Sequence, residues 1–184
     1  MKYKSLLTLI TVLALSACTI QVPPYRADIS NVSKLKEIPN ESVSVSVGKI
    51  KSEKNLNKIS LRGSPLVSSV GDSYGEYIEN ALLQELKLAK LWSGVAKKQV
   101  SGSLVDHDID VTGFSEGDAF IKVNFVVSEG NVNLFEKTIS AEHTFDSSFM
   151  GAIAIPNGQQ SYVELVQKLL KNLYSDKDFI EAIK

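Results

Sequence analysis

Five stretches of the chain alternate between apolar and polar residues, which is the pattern of half-buried β-strands. Residues 129–131 read Glu-Gly-Asn, a typical hairpin turn, and they separate the last two of these stretches. The five predicted strands cover residues 43–47, 59–61, 100–111, 119–128 and 132–145. We therefore expect a sheet of about five strands, with mixed or antiparallel pairing.

Elsewhere the apolar residues recur every three or four positions, which predicts helices. One such stretch runs from Ser73 to about Trp92, with Gly71-Asp72-Ser73 offering caps, and a second covers residues 162–173. A short last helix is expected over residues 176–183, begun by a capping box at Ser175. The order of elements predicts an α+β fold with two main helices on one sheet face and a short C-terminal helix.

Two further stretches follow neither period. Residues 18–40 contain three prolines and scattered polar residues, so we expect a flexible tether ahead of one domain over residues 41–184. Residues 149–156 are small, apolar and uncharged, and they are expected to form a loop. That loop is either a buried crossover against the first main helix or an exposed apolar patch, which would bind a partner or an acyl chain.

The second alternative makes the loop a candidate partner or ligand surface. Trp92, at the end of the first main helix, could line the same region. The side chains singled out for this surface are Trp92, Phe149, Met150, Ile153 and Ile155.

The first 18 residues have the composition of an export signal. Lys2 and Lys4 precede an uncharged apolar run over residues 6–15. This run is about half the roughly 20 residues that a membrane-spanning helix needs, so residues 1–17 are predicted to be a signal peptide. The sequence Leu15-Ser16-Ala17-Cys18 closes the run, and it resembles the lipobox of bacterial lipoproteins.

The lipobox resemblance implies cleavage before Cys18, a diacylglycerol thioether on its sulfur and a third acyl chain, such as palmitate, on its new amine. Each buried CH₂ contributes roughly 0.8 kcal/mol, so two or three chains hold a protein firmly on a bilayer. Thr19 follows the cysteine, where Asp would imply retention in the inner membrane of enterobacteria. The resemblance therefore implies the outer membrane, and we expect the domain to face the periplasm.

The charge of the chain argues against nucleic acid as a partner. The net charge is −1, and removal of residues 1–17 would delete two of 20 basic residues and none of 21 acidic ones, leaving −3. Phosphate backbones require a clustered basic surface, and none is visible. Cys18 is the only cysteine, so no disulfide can form within the chain. Membrane attachment is expected to depend on the lipid.

Candidate catalytic groups are few. Asp106, Asp108 and Asp110 are predicted on one face of a strand, where neighbours lie roughly 6.6 Å apart, too far to share one Ca²⁺ without a bend. His107 and His143 are the only histidines, and no HExxH pattern accompanies them, so structural roles are expected. No nucleophile elbow or P-loop is present. We expect a protein that is not an enzyme and holds no metal or cofactor.

Several segments of the chain resemble small, uncharacterised bacterial envelope lipoproteins. The resemblance is carried by residues 59–63, 74–86, 101–104, 108–114, 148–156 and 165–170. More distantly, the order of elements is similar to that of auxiliary lipoproteins of ABC-type transport systems. These resemblances imply a non-enzymatic accessory or assembly component of an envelope complex, with an envelope protein as partner. A module that binds a lipid or apolar ligand, and a metal-dependent hydrolase using the two histidines and the aspartates, are the alternatives.

Overall fold

The computed structural model describes residues 19–39 and 43–184 of the chain. Apart from a short 3₁₀ turn at Lys54–Leu56, the elements of the described residues are β1 (Ile20–Gln21), α1 (Ile29–Lys36), β2 (Val45–Lys51), β3 (Ile59–Leu61), β4 (Ser64–Val67), α2 (Tyr74–Leu88), β5 (Lys98–Asp110), β6 (Glu116–Glu129), β7 (Val132–Asp146), α3 (Gly151–Leu173) and α4 (Lys177–Ile183).

The strands form two sheets where one sheet of about five strands was predicted. The larger sheet has the order β2-β5-β6-β7, with β2 parallel to β5 and the other pairs antiparallel. The smaller sheet has the order β1-β4-β3, in which β1 runs parallel to β4. The α+β class and the mixed pairing are confirmed. The strand at residues 59–61 is confirmed too, but it belongs to the smaller sheet, where it pairs with β4.

Helices α2 and α3 pack on one face of the larger sheet, as the alternating pattern predicts. Helix α2 lies mainly against β2, and α3 lies mainly against β7 and β6. Every second residue of β6 is buried on this inner face, whereas its polar neighbours point to the uncovered outer face. The largest fully buried side chains of the core include four tyrosines, at positions 74, 77, 162 and 174.

Helix α3 is longer than the sequence suggested, because it begins at Gly151 and includes residues expected to form a loop. Pro156 misled the prediction, since proline lacks the amide hydrogen of a regular helical bond. The helix continues because packing holds it in place. A Cβ on Gly158 would lie 2.8 Å from Val111 Cγ1, so glycine lets α3 pack closely against the residue that directly follows β5. The short helix α4 is confirmed, with Asp176 rather than Ser175 as its N-cap.

The proline-rich segment over residues 19–39 is packed onto the domain, contrary to the expected flexible tether. The segment contributes β1, which pairs with β4 of the smaller sheet, and its helix α1 lies against α2 and α3. Tyr77 donates a hydrogen bond of 2.9 Å to the Pro23 carbonyl. The apolar side chains of the segment that are buried in the core are Val22, Tyr25, Val32, Leu35 and Ile38. Their burial holds the segment on the domain. The sequence did not predict this burial, because the apolar residues of the segment are irregularly spaced.

Candidate functional site

One end of the larger sheet carries a group of exposed apolar side chains, and an arginine organises the backbone beneath it. Arg62 lies in the turn between β3 and β4. Its Nε and Nη2 donate hydrogen bonds of 3.1 and 2.8 Å to the Val111 carbonyl. Its Nη atoms also donate to the Ser148 and Phe149 carbonyls, at 2.7 and 2.5 Å. The guanidinium thus holds the loop after β5 and the start of α3 together.

The apolar group rests on these two segments. Phe114 in the loop between β5 and β6 stacks on Phe149, with ring centroids 5.9 Å apart and planes at 11°. We call Phe114, Phe149, Met150 and Ile153 the end patch, and their exposed fractions are 82, 73, 61 and 46%. Apolar side chains that cluster in solvent on a folded domain are typical of a surface that contacts something else.

Of the residues expected to form a loop at positions 149–156, those from Gly151 onward form the first turns of α3, while Phe149 precedes the helix and Met150 is its N-cap. Phe149, Met150 and Ile153 are all exposed. Ile155 is half-buried and packs against the core. Phe114 was missed as a member of the surface, although an aromatic residue directly after Gly113 in a polar turn is a usable sequence signal.

Trp92 does not belong to the end patch, so the expectation that it lines the same region is wrong. The backbone of Trp92 forms an isolated β-bridge with Val45. Val45 also pairs with Lys98, the first residue of β5. The end patch lies beyond the last residue of β5, about 40 Å away for a strand of 13 residues. Lys87 Nζ lies over the Trp92 ring, 4.5 Å from its centroid, so the lysine side chain partly covers the ring. The sequence could not show that the two aromatic positions lie at opposite ends of the sheet.

The three aspartates at 106, 108 and 110 lie on the outer face of β5, exposed, as predicted. With Asp118 and Glu142 from the neighbouring strands they line an open groove of about 450 Å³. The backbone N–H and side chain of Thr112 lower the pKa of Asp110, and the N–H donates to its carboxylate at 2.7 Å. Across residues 19–39 and 43–184, no three acidic, histidine or cysteine side chains are arranged to hold a metal ion.

His107 is a buried structural residue on the inner face. Its Nε2 donates to the Leu56 carbonyl at 2.7 Å, because a carbonyl oxygen can only accept. Its Nδ1 therefore accepts from the Tyr162 hydroxyl at 2.8 Å. Burial lowers the pKa of His107, which keeps the imidazole neutral. Both ring nitrogens are occupied, so neither is available to a metal or a substrate.

His143 lies on β7 and His107 lies on β5, with β6 between them, so the two histidines do not form a pair. It is two strands from His107 and offset by two residues, roughly 12 Å away by standard strand spacing. Lys168 Nζ lies 2.8 Å from its Nδ1, and Glu164 Oε2 lies 2.9 Å from its Nε2. Partial burial and the nearby Lys168 lower its pKa. The histidine pair and the outer-face aspartates, which a metal-dependent hydrolase would need together, are thus separated.

A buried carboxylate that the sequence did not reveal joins the N-terminal segment to α2. Glu85 Oε1 accepts from the Tyr25 hydroxyl at 2.6 Å, the Asp28 amide at 2.9 Å and Asn31 Nδ2 at 3.3 Å. The side chain is fully buried, and desolvation raises its pKa above the ordinary value of 4.5. The Tyr174 hydroxyl lies beside Glu85, although neither it nor Oε2 makes a hydrogen bond of standard geometry. Glu85 and its three hydrogen-bond donors are more than fifty positions apart in the sequence, so only the tertiary structure brings them together.

Cys18, the predicted lipidation site, lies outside the described residues. No helix in the described part of the chain has both the length and the apolar character needed to cross a membrane.

The fold has counterparts among solved structures. No family model and no curated protein matches the chain. Protein XCC0632 from Xanthomonas campestris, matched by the DUF330 family model, has a TM-score of 0.59 at 13% identity, over 85% of this chain and 95% of that one. A candidate lipoprotein from Caulobacter crescentus CB15 has a TM-score of 0.50 at 10% identity, over 84% and 96% of the two chains. At these identities the comparison establishes a shared fold.

Proposed function

We propose that this chain is a non-enzymatic lipoprotein of the bacterial cell envelope, anchored in the outer membrane through lipid on Cys18 and facing the periplasm. In this role it serves as an accessory or assembly component of an envelope complex. The observation that carries the proposal is the lipobox-like sequence Leu15–Cys18, which ends one residue before the described, folded part of the chain begins at Thr19. The shared fold with a candidate lipoprotein supports it.

The arrangement of titratable groups supports a role without catalysis. His107 has both nitrogens engaged in structural hydrogen bonds, and His143 contacts Lys168 and Glu164. Glu85 is sealed inside the core by the N-terminal segment. A catalytic site needs an acid, base or nucleophile that reaches a substrate. In the described residues the isolated carboxylates and histidines instead serve the fold or face open solvent.

The anchor is tested in the native host. Metabolic labelling with an alkynyl palmitate analogue and intact-mass measurement should show two or three acyl chains on a protein that begins at Cys18. A Cys18→Ala variant, expressed at the same level, should lack the label and leave the membrane fraction. An unmodified thiol at position 18 of the wild-type protein, or an uncleaved leader, would overturn the proposal.

The location and the partner need separate experiments. Outer and inner membranes separated on a sucrose gradient should place the protein in the outer fraction, with protease sensitivity only after the periplasm is opened. Crosslinking in intact cells, followed by affinity capture, should then recover one or a few envelope proteins reproducibly. Capture of the lipoprotein alone in stringent replicates would contradict the accessory role.

The alternative function, binding of a lipid or other apolar ligand in a groove, gains little support from the structure. Two grooves of about 450 and 880 Å³ lined by the described residues are open, and most of the residues that line them are polar or charged. The apolar side chains of the end patch project outward instead of enclosing a cavity. Native mass spectrometry of the purified protein with a retained apolar ligand would favour this alternative over the accessory role.

A further inference from the structure

The folded chain begins at the same end of the molecule as the end patch. Strand β1 is parallel to β4, with Ile20 opposite Leu66. The start of β1 therefore points toward the start of β4, where the Arg62–Gly63 turn lies. Arg62 is the residue whose guanidinium binds the carbonyls of Ser148 and Phe149 beneath the end patch. The first residue of β1, Ile20, thus lies toward the same end of the domain as the patch.

The first described residues have little freedom to move away from this end. The Val22 amide donates to the Val67 carbonyl at 2.9 Å, and Gln159 Nε2 donates to the Gln21 carbonyl at 2.8 Å. Val22 is itself buried. Only two residue steps separate Cys18 from Ile20, a span of at most about 7 Å. Lipid on Cys18 would therefore hold this end of the domain at the bilayer surface, without the spacer that the sequence suggested.

We propose that the end patch is a membrane-docking surface: Phe114, Phe149 and Met150 insert into the lipid interface beside the anchor and orient the domain on the bilayer. The inference rests on the proposed lipidation of Cys18, which supplies the proximity. Aromatic and methionine side chains that protrude from a folded surface gain by burial among lipid headgroups and upper acyl chains. Ile153, in the first turn of α3, is also apolar and exposed.

The charges around the patch define the kind of lipid. Glu116 on β6 lies opposite Asp146 on β7 at the sheet end next to the patch. Asp118 follows on the outer face. Arg62 lies beneath the patch, and its donors are directed to three backbone carbonyls. Acidic neighbours without a basic cluster disfavour an anionic surface. The surface therefore fits a zwitterionic phospholipid such as phosphatidylethanolamine, held by apolar insertion.

A fluorescence experiment on the acylated, full-length mature protein tests the insertion. The protein is reconstituted into phosphatidylethanolamine and phosphatidylcholine vesicles with or without brominated acyl chains, which quench tryptophan on contact. The reporter chain carries F149W together with W92F. Its emission should fall at least about two-fold in brominated vesicles. The wild-type protein is the matched control, because its only tryptophan, Trp92, lies about 40 Å from the patch and should not be quenched.

A second variant tests whether the neighbouring side chains act with Phe149. Phe114→Ser and Met150→Ser in the reporter chain should remove most of the quenching, and circular dichroism should show the same helical content. In an unacylated Cys18→Ala protein the same two changes together should weaken vesicle binding roughly a hundred-fold, since burial of each large apolar side chain contributes about ten-fold. Inclusion of phosphatidylglycerol should not strengthen binding.

Three results would overturn the docking surface. One is equal reporter emission with and without brominated lipid in a preparation whose intact mass shows acylated Cys18. Another is quenching of Trp92 as strong as that of the reporter. The third is concentration-dependent dimerisation by light scattering that Phe149→Ser abolishes, which would assign the patch to a second copy. An unacylated Cys18 in the native protein would instead refute the proposed anchor, and the Cys18→Ala vesicle measurement would still decide the patch.

Discussion

Two stretches of the chain contain apolar residues without a clear period in the sequence, namely residues 19–39 and residues 149–153. Their apolar side chains differ in burial in the folded domain. The first stretch buries Val22, Leu35 and other apolar side chains against α2 and α3. The second leaves Phe149 and Met150 exposed. Burial explains most of the apolar residues of the first stretch, with Ile29 exposed, whereas Phe149 and Met150 of the second are the side chains that we propose insert into a bilayer.

The two stretches also differ in their polar partners. The N-terminal segment is held by Glu85, a fully buried carboxylate that accepts three hydrogen bonds from it. The start of α3 is held by Arg62, an arginine that binds backbone carbonyls and leaves the side chains above it free. Substitutions should therefore affect stability in the first region and surface behaviour in the second.

The largest stability loss is expected from Leu35→Ala. Leu35 is fully buried in α1, so removal of its side chain should lower the free energy of unfolding by about 3 kcal/mol, measured by urea denaturation. Ile29→Ala, a change at an exposed position of the same helix, should cost less than about 0.5 kcal/mol. Equal, small effects from both variants would mean that the segment is the loose tether suggested by its sequence.

Glu85→Ala should cost about 2 kcal/mol, because it leaves Tyr25, the Asp28 amide and Asn31 without their buried acceptor. The pH dependence gives a sharper test. Desolvation raises the folded-state pKa of Glu85, so its stabilising contribution is complete below about 4.5 and is lost as the pH rises through the folded-state pKa. Relative to Glu85→Gln, the wild-type protein should lose stability above pH 4.5, and a constant difference would refute this assignment.

Asp28→Ala should cost about 1 kcal/mol, since Asp28 caps α1 through the amides of Ser30 and Asn31. The hydrogen bond from the Ser30 side chain, with these amides, lowers the pKa of Asp28. The sign is opposite to that of Glu85: this contribution is present above about pH 3.8 and is lost as the pH falls below it. Asp28→Asn should therefore converge with the wild-type protein in acid, and divergence there would contradict the capping role.

The smallest effect is expected at the end patch. Phe149→Ser should change the free energy of unfolding by less than about 0.5 kcal/mol, because the ring is exposed and contacts mainly Phe114. Chemical denaturation of the unacylated protein provides the measurement. A loss above about 1.5 kcal/mol would show that the ring stabilises the fold, and the contrast with residues 19–39 would then disappear.

The secondary structure and the chemistry of the strands were accessible from the sequence because they depend on local periodicity. Alternation along β6 predicted its inner and outer faces, and spacing predicted α2, whose N-cap in the structure is Ser73, one of the three candidate capping residues. The same alternation placed His107 on the face opposite the aspartates. The start of α3 was missed because Pro156 is locally unfavourable in a helix, while the close approach of Gly158 to Val111 depends on a distant strand.

The sequence by itself indicated five of the seven described strands, the two main helices and a lipobox-like leader, since each is a pattern of neighbouring residues. Tertiary structure decided that residues 19–39 pack on the domain, that Glu85 is sealed beneath them and that Trp92 and Phe149 lie at opposite ends of the sheet. Those features arise from contacts between residues far apart in the chain. Burial and proximity are properties of the folded molecule, so local periodicity does not encode them.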